Sequence, residues 1–119
     1  MKLYLDDERD VAALMDRFQK LGIAETPEGW TRCYWPIEAI EIIKTGKVET
    51  LSLDHDLGDA DRARAEGRKE IVGEAVINWL EEQVMMHGFS PPKKIYIHSM
   101  NPTSSRMQQT AHRILSHGL

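Results

Sequence analysis

Three short polar clusters hold most of the chemistry open to this chain: Asp6-Asp7-Glu8-Arg9, Asp54-His55-Asp56 and His98-Ser99-Met100-Asn101. Carboxylate oxygens are the ligands that hard divalent cations such as Mg²⁺ or Mn²⁺ prefer, which makes Asp6, Asp7, Asp54 and Asp56 candidate metal ligands. An imidazole titrates near neutrality, so His55 and His98 can take a proton from water or give one to a leaving alkoxide. Asp54 belongs with them, as a cation ligand or as the carboxylate that orients a histidine. Arg9 can clamp a phosphate through two parallel N–H bonds, and Ser99 and Asn101 can donate hydrogen bonds to phosphate oxygens.

Each assignment has a plainer competitor. Asp6 or Asp7 can cap a helix or close an Asx turn, and Asp56 can be a turn former ahead of Gly58. Arg9 can make a surface ion pair with Glu8 or Asp10. Ser99 and Asn101 can close the turn before Pro102. The histidines can bind a transition metal together with Asp6, Asp7 or Asp54, or can be hydrogen-bonded structure. Trp30 can stack on a base or cover the core. His87, His112 and His117 read as structural or solvated, and Arg106 is a weaker alternative to Arg9.

What must bring the clusters together is a sheet. Each follows a short apolar run: Leu3-Tyr4-Leu5, Leu51-Ser52-Leu53 and Ile95-Tyr96-Ile97. The pattern predicts strands over 2–6, 31–35, 48–53 and 93–97, alternating with helices. The first helix starts from Asp10 as N-cap, follows Val11, Leu14, Met15, Phe18 and Leu21, and stops at Gly22. The second begins at Pro36 and ends at Gly46. The third runs from Glu70 to Gly88 through Val76, Trp79, Leu80 and Val84. The last is capped by Thr103, Ser104 or Ser105 and lays Met107, Ala111, Ile114 and Leu115 inward. The charged stretch 58–69 predicts a solvated loop or an exposed helical extension.

Strict alternation of strands and helices predicts a three-layer α/β/α domain over 1–119, with a parallel sheet and right-handed crossovers. The order 2-1-3-4 places strands 1 and 3 at the topological switch point, where ligands of such sheets bind. All three clusters then share one sheet edge.

Composition bounds the function. A net charge of −4 excludes a broad basic nucleic-acid-binding face but not a locally held nucleotide. The lone Cys33 rules out an internal disulfide and favours a cytoplasmic home. No run approaches the roughly 18 apolar residues of a membrane span.

The set LDDER, SLDHDLGD and IHSMNP, with Pro27-Glu28-Gly29-Trp30, resembles the cyclic-phosphate processing receiver-like domains, a divergent branch of the receivers of two-component signalling. The resemblance covers nearly the whole chain. It implies a flavodoxin/receiver-like fold and a phosphoesterase acting on cyclic phosphates of nucleotides or RNA ends, a reaction that needs a proton acceptor and a proton donor. By that resemblance Asp6 and Asp7 match the acidic metal site, Asp54 the phosphoacceptor position, and Ser99 the small hydroxyl after strand 4. A receiver also has a fifth strand with an essential lysine. Nothing after Ile97 reads as a strand, and Lys93 and Lys94 lie at the wrong end of strand 4. The alternative implied is therefore a degenerate receiver, a signalling or protein-interaction module that binds a divalent cation.

Overall fold

The computed structural model describes residues 1–117. Its strands are β1 (Lys2–Leu5), β2 (Trp30–Cys33), β3 (Thr50–Leu53) and β4 (Lys94–Ile97). Its helices are α1 (Val11–Lys20), α2 (Pro36–Ile43), α3 (Ala60–Glu66), α4 (Glu74–His87) and α5 (Ser105–Ser116), with a 3₁₀ turn over Pro102–Ser104 before α5. The sheet is parallel throughout and ordered β2-β1-β3-β4, the order that alternation and the switch-point argument predict.

Local chemistry sets the boundaries. Asp10 caps α1, its carboxylate accepting the Ala13 N–H at 2.9 Å. Pro36 opens α2, where its missing N–H costs nothing, and Gly88 closes α4 in the left-handed conformation. Trp35 falls outside β2: as the residue before Pro36 it turns out of the sheet and becomes the extended N-cap of α2. The third predicted helix starts four residues late, at Glu74. Residues 70–73 are instead drawn beside the tip of β3 by a bridge between Asp56 and Val72 and by the Gly73 N–H on the His55 carbonyl at 2.8 Å.

The stretch 58–69 takes the form of the exposed helical extension. It contains α3, anchored by Asp59, which is 2% exposed and takes both guanidinium nitrogens of Arg68, at 2.7 and 2.9 Å, and the Ile71 N–H at 2.7 Å.

Strand alternation divides the core. Leu3, Leu5, Leu51, Leu53, Ile95 and Ile97 meet Ile43, Val76, Ile77, Leu80, Met107 and Ile114 on one face. Tyr4 and Tyr96 point the other way, onto Leu14 and Phe18 of α1. One helix thus covers one face, while α2, α4 and α5 cover the other. Trp30 packs on Tyr4 and Phe18 with ring centroids 6.0 and 5.7 Å away, so it covers the core. Leu115, predicted to be inward, is exposed. No helix among the described residues is long and apolar enough to cross a membrane.

Candidate functional site at the carboxyl edge of the sheet

Leu5, Leu53 and Ile97 are in register across β1, β3 and β4. The next residues, Asp6, Asp54 and His98, continue the ladder: Asp54 N–H donates to the Leu5 carbonyl at 3.1 Å and His98 N–H to the Leu53 carbonyl at 3.0 Å. Asp6 N–H reaches the Cys33 carbonyl on β2 at 3.0 Å. The three therefore form one row pinned by backbone bonds. By parity they share the α1 face with Tyr4, Ser52 and Tyr96. All three are buried, and one donor atom from each lies within 4.8 Å of the others.

Asp6 is the hub. Its Oδ1 accepts the N–H groups of Glu8 and Arg9, both at 2.9 Å, which folds the loop after β1 around it. Its Oδ2 meets His98 Nε2 at 3.0 Å and accepts from Arg9 Nη1 at 3.2 Å. Burial would push this carboxyl up, but hydrogen bonds from His98 and from the Arg9 and Glu8 amides outweigh it and hold Asp6 well below the usual carboxylate range. Asp54 has less compensation. Its Oδ1 accepts the His55 N–H at 2.9 Å and its Oδ2 lies 3.4 Å from Arg9 Nη1; burial raises its pKa despite the nearby His98 and Arg9 charges. Arg9 thus pairs with Asp6 and Asp54, not with Glu8 or Asp10, and its guanidinium lies across the mouth of the acid pair.

His98 is fully buried, with Nε2 on Asp6 and Nδ1 2.7 Å from the Ser52 hydroxyl. His98 thus stands between a hydroxyl and a carboxylate that are both buried. His55, next in the chain after Asp54, is half-buried, with Nδ1 2.8 Å from Asp56 Oδ1 and Nε2 a loose 3.4 Å from the Thr103 hydroxyl. Asp56 belongs to this second cluster and not to the buried trio. It also accepts from Asn101 Nδ2 at 3.0 Å, and the His55 and Asn101 bonds lower its pKa against burial.

Asp7 also lies outside the trio. Its Oδ2 packs against Gly58, and its buried Oδ1 has no hydrogen-bond partner among the described residues; burial raises its pKa. Asp10, not Asp7, caps α1. Ser99 Oγ accepts the Asn101 N–H at 3.1 Å, and Asn101 Oδ1 accepts the Thr103 N–H at 2.9 Å, so both close the turn before Pro102 as well as facing the crevice. Arg106 is committed elsewhere, to Glu74.

Above the trio opens a crevice of about 380 Å³, walled by Glu8, Arg9, Arg17, Asp54, Asp56, Ser99, Met100 and Asn101. Asp54 is the one member of the trio that faces it.

Three contributors went unread in the sequence. Arg17 donates to the His98 carbonyl at 2.8 Å and has no carboxylate within 4.0 Å among the described residues, which leaves the rest of its guanidinium open to the crevice. Its signal was a cation between Leu14 and Phe18 on the inward face of α1. Ser52, the polar residue between Leu51 and Leu53, holds the His98 ring. Gly73 is the third: a Cβ built there would lie 1.7 Å from the Asp54 carbonyl oxygen.

Two carboxylates and an imidazole are a donor set that could hold a divalent cation, and the Ser52 hydroxyl on Nδ1 is the outer partner a metal-bound imidazole normally has. The nitrogen donor suits Mn²⁺ better than Mg²⁺, which favours all-oxygen surroundings.

The sequence matches the family described as the cyclic-phosphate processing receiver domain over residues 1–113. No curated protein and no solved structure matches the chain.

Proposed function

This chain belongs to the cyclic-phosphate processing receiver domain family, and from that premise we propose that its crevice hydrolyses a cyclic phosphate ester. The observation that carries the reading is a buried Asp6–Asp54–His98 row beneath a crevice into which Arg17 opens.

In this reading Arg17 and the Ser99 hydroxyl seat the phosphoryl oxygens, with Arg9 shared between phosphate and acids. Asp54, whose burial raises its proton affinity, takes a proton from the attacking water. The water oxygen bonds to phosphorus and one ester P–O bond breaks. His55, steered by Asp56 through Nδ1, supplies the proton to the departing oxygen by swinging from its loose contact with Thr103. His98 fixes Asp6, which holds Arg9 against Asp54. A divalent cation held by Asp6, Asp54 and His98 would offset carboxylate charge and polarise the phosphoryl group.

The test is hydrolysis of 2′,3′-cyclic nucleotides with Mn²⁺ by wild type, Asp54→Asn and Arg17→Ala. Activity in wild type that falls at least a hundredfold in both variants supports the reading. Absence of turnover across the panel, or unchanged rates in Asp54→Asn, overturns it. The degenerate-receiver alternative predicts a phosphoryl mass increment from acetyl phosphate that Asp54→Asn abolishes.

A further inference from the structure

Beside the charged crevice lies a second cavity of about 320 Å³. The two share Ser99, Met100 and Asn101 as a common wall, so a single ligand can reach across it. Their linings differ in kind. The first carries five ionisable side chains, whereas the second carries none. Leu21 at the end of α1, Met100 and Pro102 give the second cavity apolar walls. Gln108 and Ser105, on the first turn of α5, add a carboxamide and a hydroxyl that make no side-chain hydrogen bond among the described residues.

Such a pair of compartments fits a ligand that is anionic at one end and neutral at the other. An apolar lining with few polar groups is the usual character of a site for a ring system. A polyol would leave its hydroxyls unpaired against Leu21 and Pro102, at a cost for each. A heteroaromatic ring instead presents apolar faces to Met100 and Leu21, with the methionine sulfur favouring aromatic contact, and a donor–acceptor edge to Gln108.

We propose that the second cavity is a subsite for the nucleoside part of a phosphate ester, with Leu21 and Met100 against the faces of the base and Gln108 reading its edge. This rests on the reading of the first crevice as the phosphate seat, and it adds a determinant of specificity lying outside the reacting groups.

Calorimetric titration in Mn²⁺ uses four probes that the proposed reaction does not consume: inorganic phosphate, ribose 5-phosphate, a nucleoside 3′-monophosphate, and a trinucleotide ending in the same 3′-phosphate. Wild type should bind one of the two nucleosides at least tenfold tighter than ribose 5-phosphate, and which one does so separates a free nucleotide from a chain end. Gln108→Ala should erase most of that gain and leave phosphate affinity within twofold, since Gln108 does not line the first crevice. Phosphate binding without any nucleoside gain overturns the subsite alone, as does a gain that survives Gln108→Ala. No binding of any probe overturns both the subsite and the hydrolytic reading beneath it.

Discussion

Replacing Gly73 by alanine tests how tightly the start of α4 is fitted to the site. The Gly73 backbone, at φ −63° and ψ −19°, is one any residue adopts, so conformational freedom is not the reason for glycine here. The reason is space: the added Cβ would sit 1.7 Å from the Asp54 carbonyl oxygen and 2.9 Å from its carbonyl carbon. Ordinary contact needs roughly 3.4 Å, so either α4 or the tip of β3 must retreat by about 1.7 Å. Retreat strains or breaks the 2.8 Å bond from the Gly73 N–H to the His55 carbonyl. Overpacking costs about 1–3 kcal/mol and the lost bond about 1 kcal/mol. A loss of about 2–4 kcal/mol lowers the Tm of a chain this size by roughly 8–16 °C. Thermal melting by circular dichroism reads that fall, and Mn²⁺ titration of the folded variant should show affinity weakened at least fivefold, because Asp54 moves with its backbone. A melting temperature within about 2 °C of wild type would refute the steric argument.

Arg9→Met removes the guanidinium lying 3.2 and 3.4 Å from Asp6 and Asp54. If it occupies the place of a cation, Mn²⁺ affinity measured by electron paramagnetic resonance should rise about tenfold, or about 1.4 kcal/mol; unchanged affinity would put the metal elsewhere. Asp6→Asn breaks a buried charge network and should cost about 3–5 kcal/mol at pH 7 by urea denaturation. Because the folded Asp6 carboxyl titrates below its unfolded value, its stabilisation is complete above about pH 4 and is lost as pH falls through the folded pKa, so the gap to wild type should narrow only below about pH 4. A gap that narrows already between pH 7 and 5 would contradict that sign. Arg68→Met unhooks Asp59, whose carboxyl Arg68 holds down at about 2, and should speed amide exchange across 59–66 while leaving β1 and β3 protected; unchanged exchange would mean α3 is held by other contacts.

The sequence exposed the edge of the sheet far better than the interior of the site. Apolar triplets ending in Asp6, Asp54 and His98 announce strand tips, and alternation then requires a parallel sheet that gathers them. Period two also assigns a face, but it says nothing about depth. His98 reads as a strand-end imidazole whether it opens to solvent or lies buried against Phe18, and only the packing of α1 decides between them. Reach is hidden in the same way. Arg9 has acidic neighbours at Glu8 and Asp10, yet its stem turns back to Asp6 and across to Asp54, residues whose positions depend on folding. Gly73 interrupts an otherwise helical pattern, and nothing local distinguishes a weak helical residue from one that a carbonyl oxygen needs empty. The charges that alternate along 58–69 predict a solvated loop or an exposed helical extension; the Asp59–Arg68 pair spans nine positions and satisfies charges that the linear sequence leaves looking free.

Charge in the crevice also couples the binding of a cation to that of a phosphate. Glu8, Asp54 and Asp56 face it together with Arg9 and Arg17, and Asp6 lies just beneath. Arg9 is already shared between two carboxylates, so of the cations that line the crevice among the described residues Arg17 is the one left to meet an incoming phosphate. Two like charges about 5 Å apart repel by about 3 kcal/mol at an effective dielectric constant near 20. A phosphate placed beside Asp54 therefore needs further positive charge, and the donor trio is where a divalent cation would supply it. Cation and phosphate should then bind with positive coupling of up to about a hundredfold, and each must raise the affinity of the other by the same factor. Titrating inorganic phosphate with and without Mn²⁺, and Mn²⁺ with and without phosphate, measures both arms. Phosphate that binds equally well in chelator would mean that Arg9 leaves its carboxylates to receive the anion, and the crevice would then work by exchange of ion pairs without a metal.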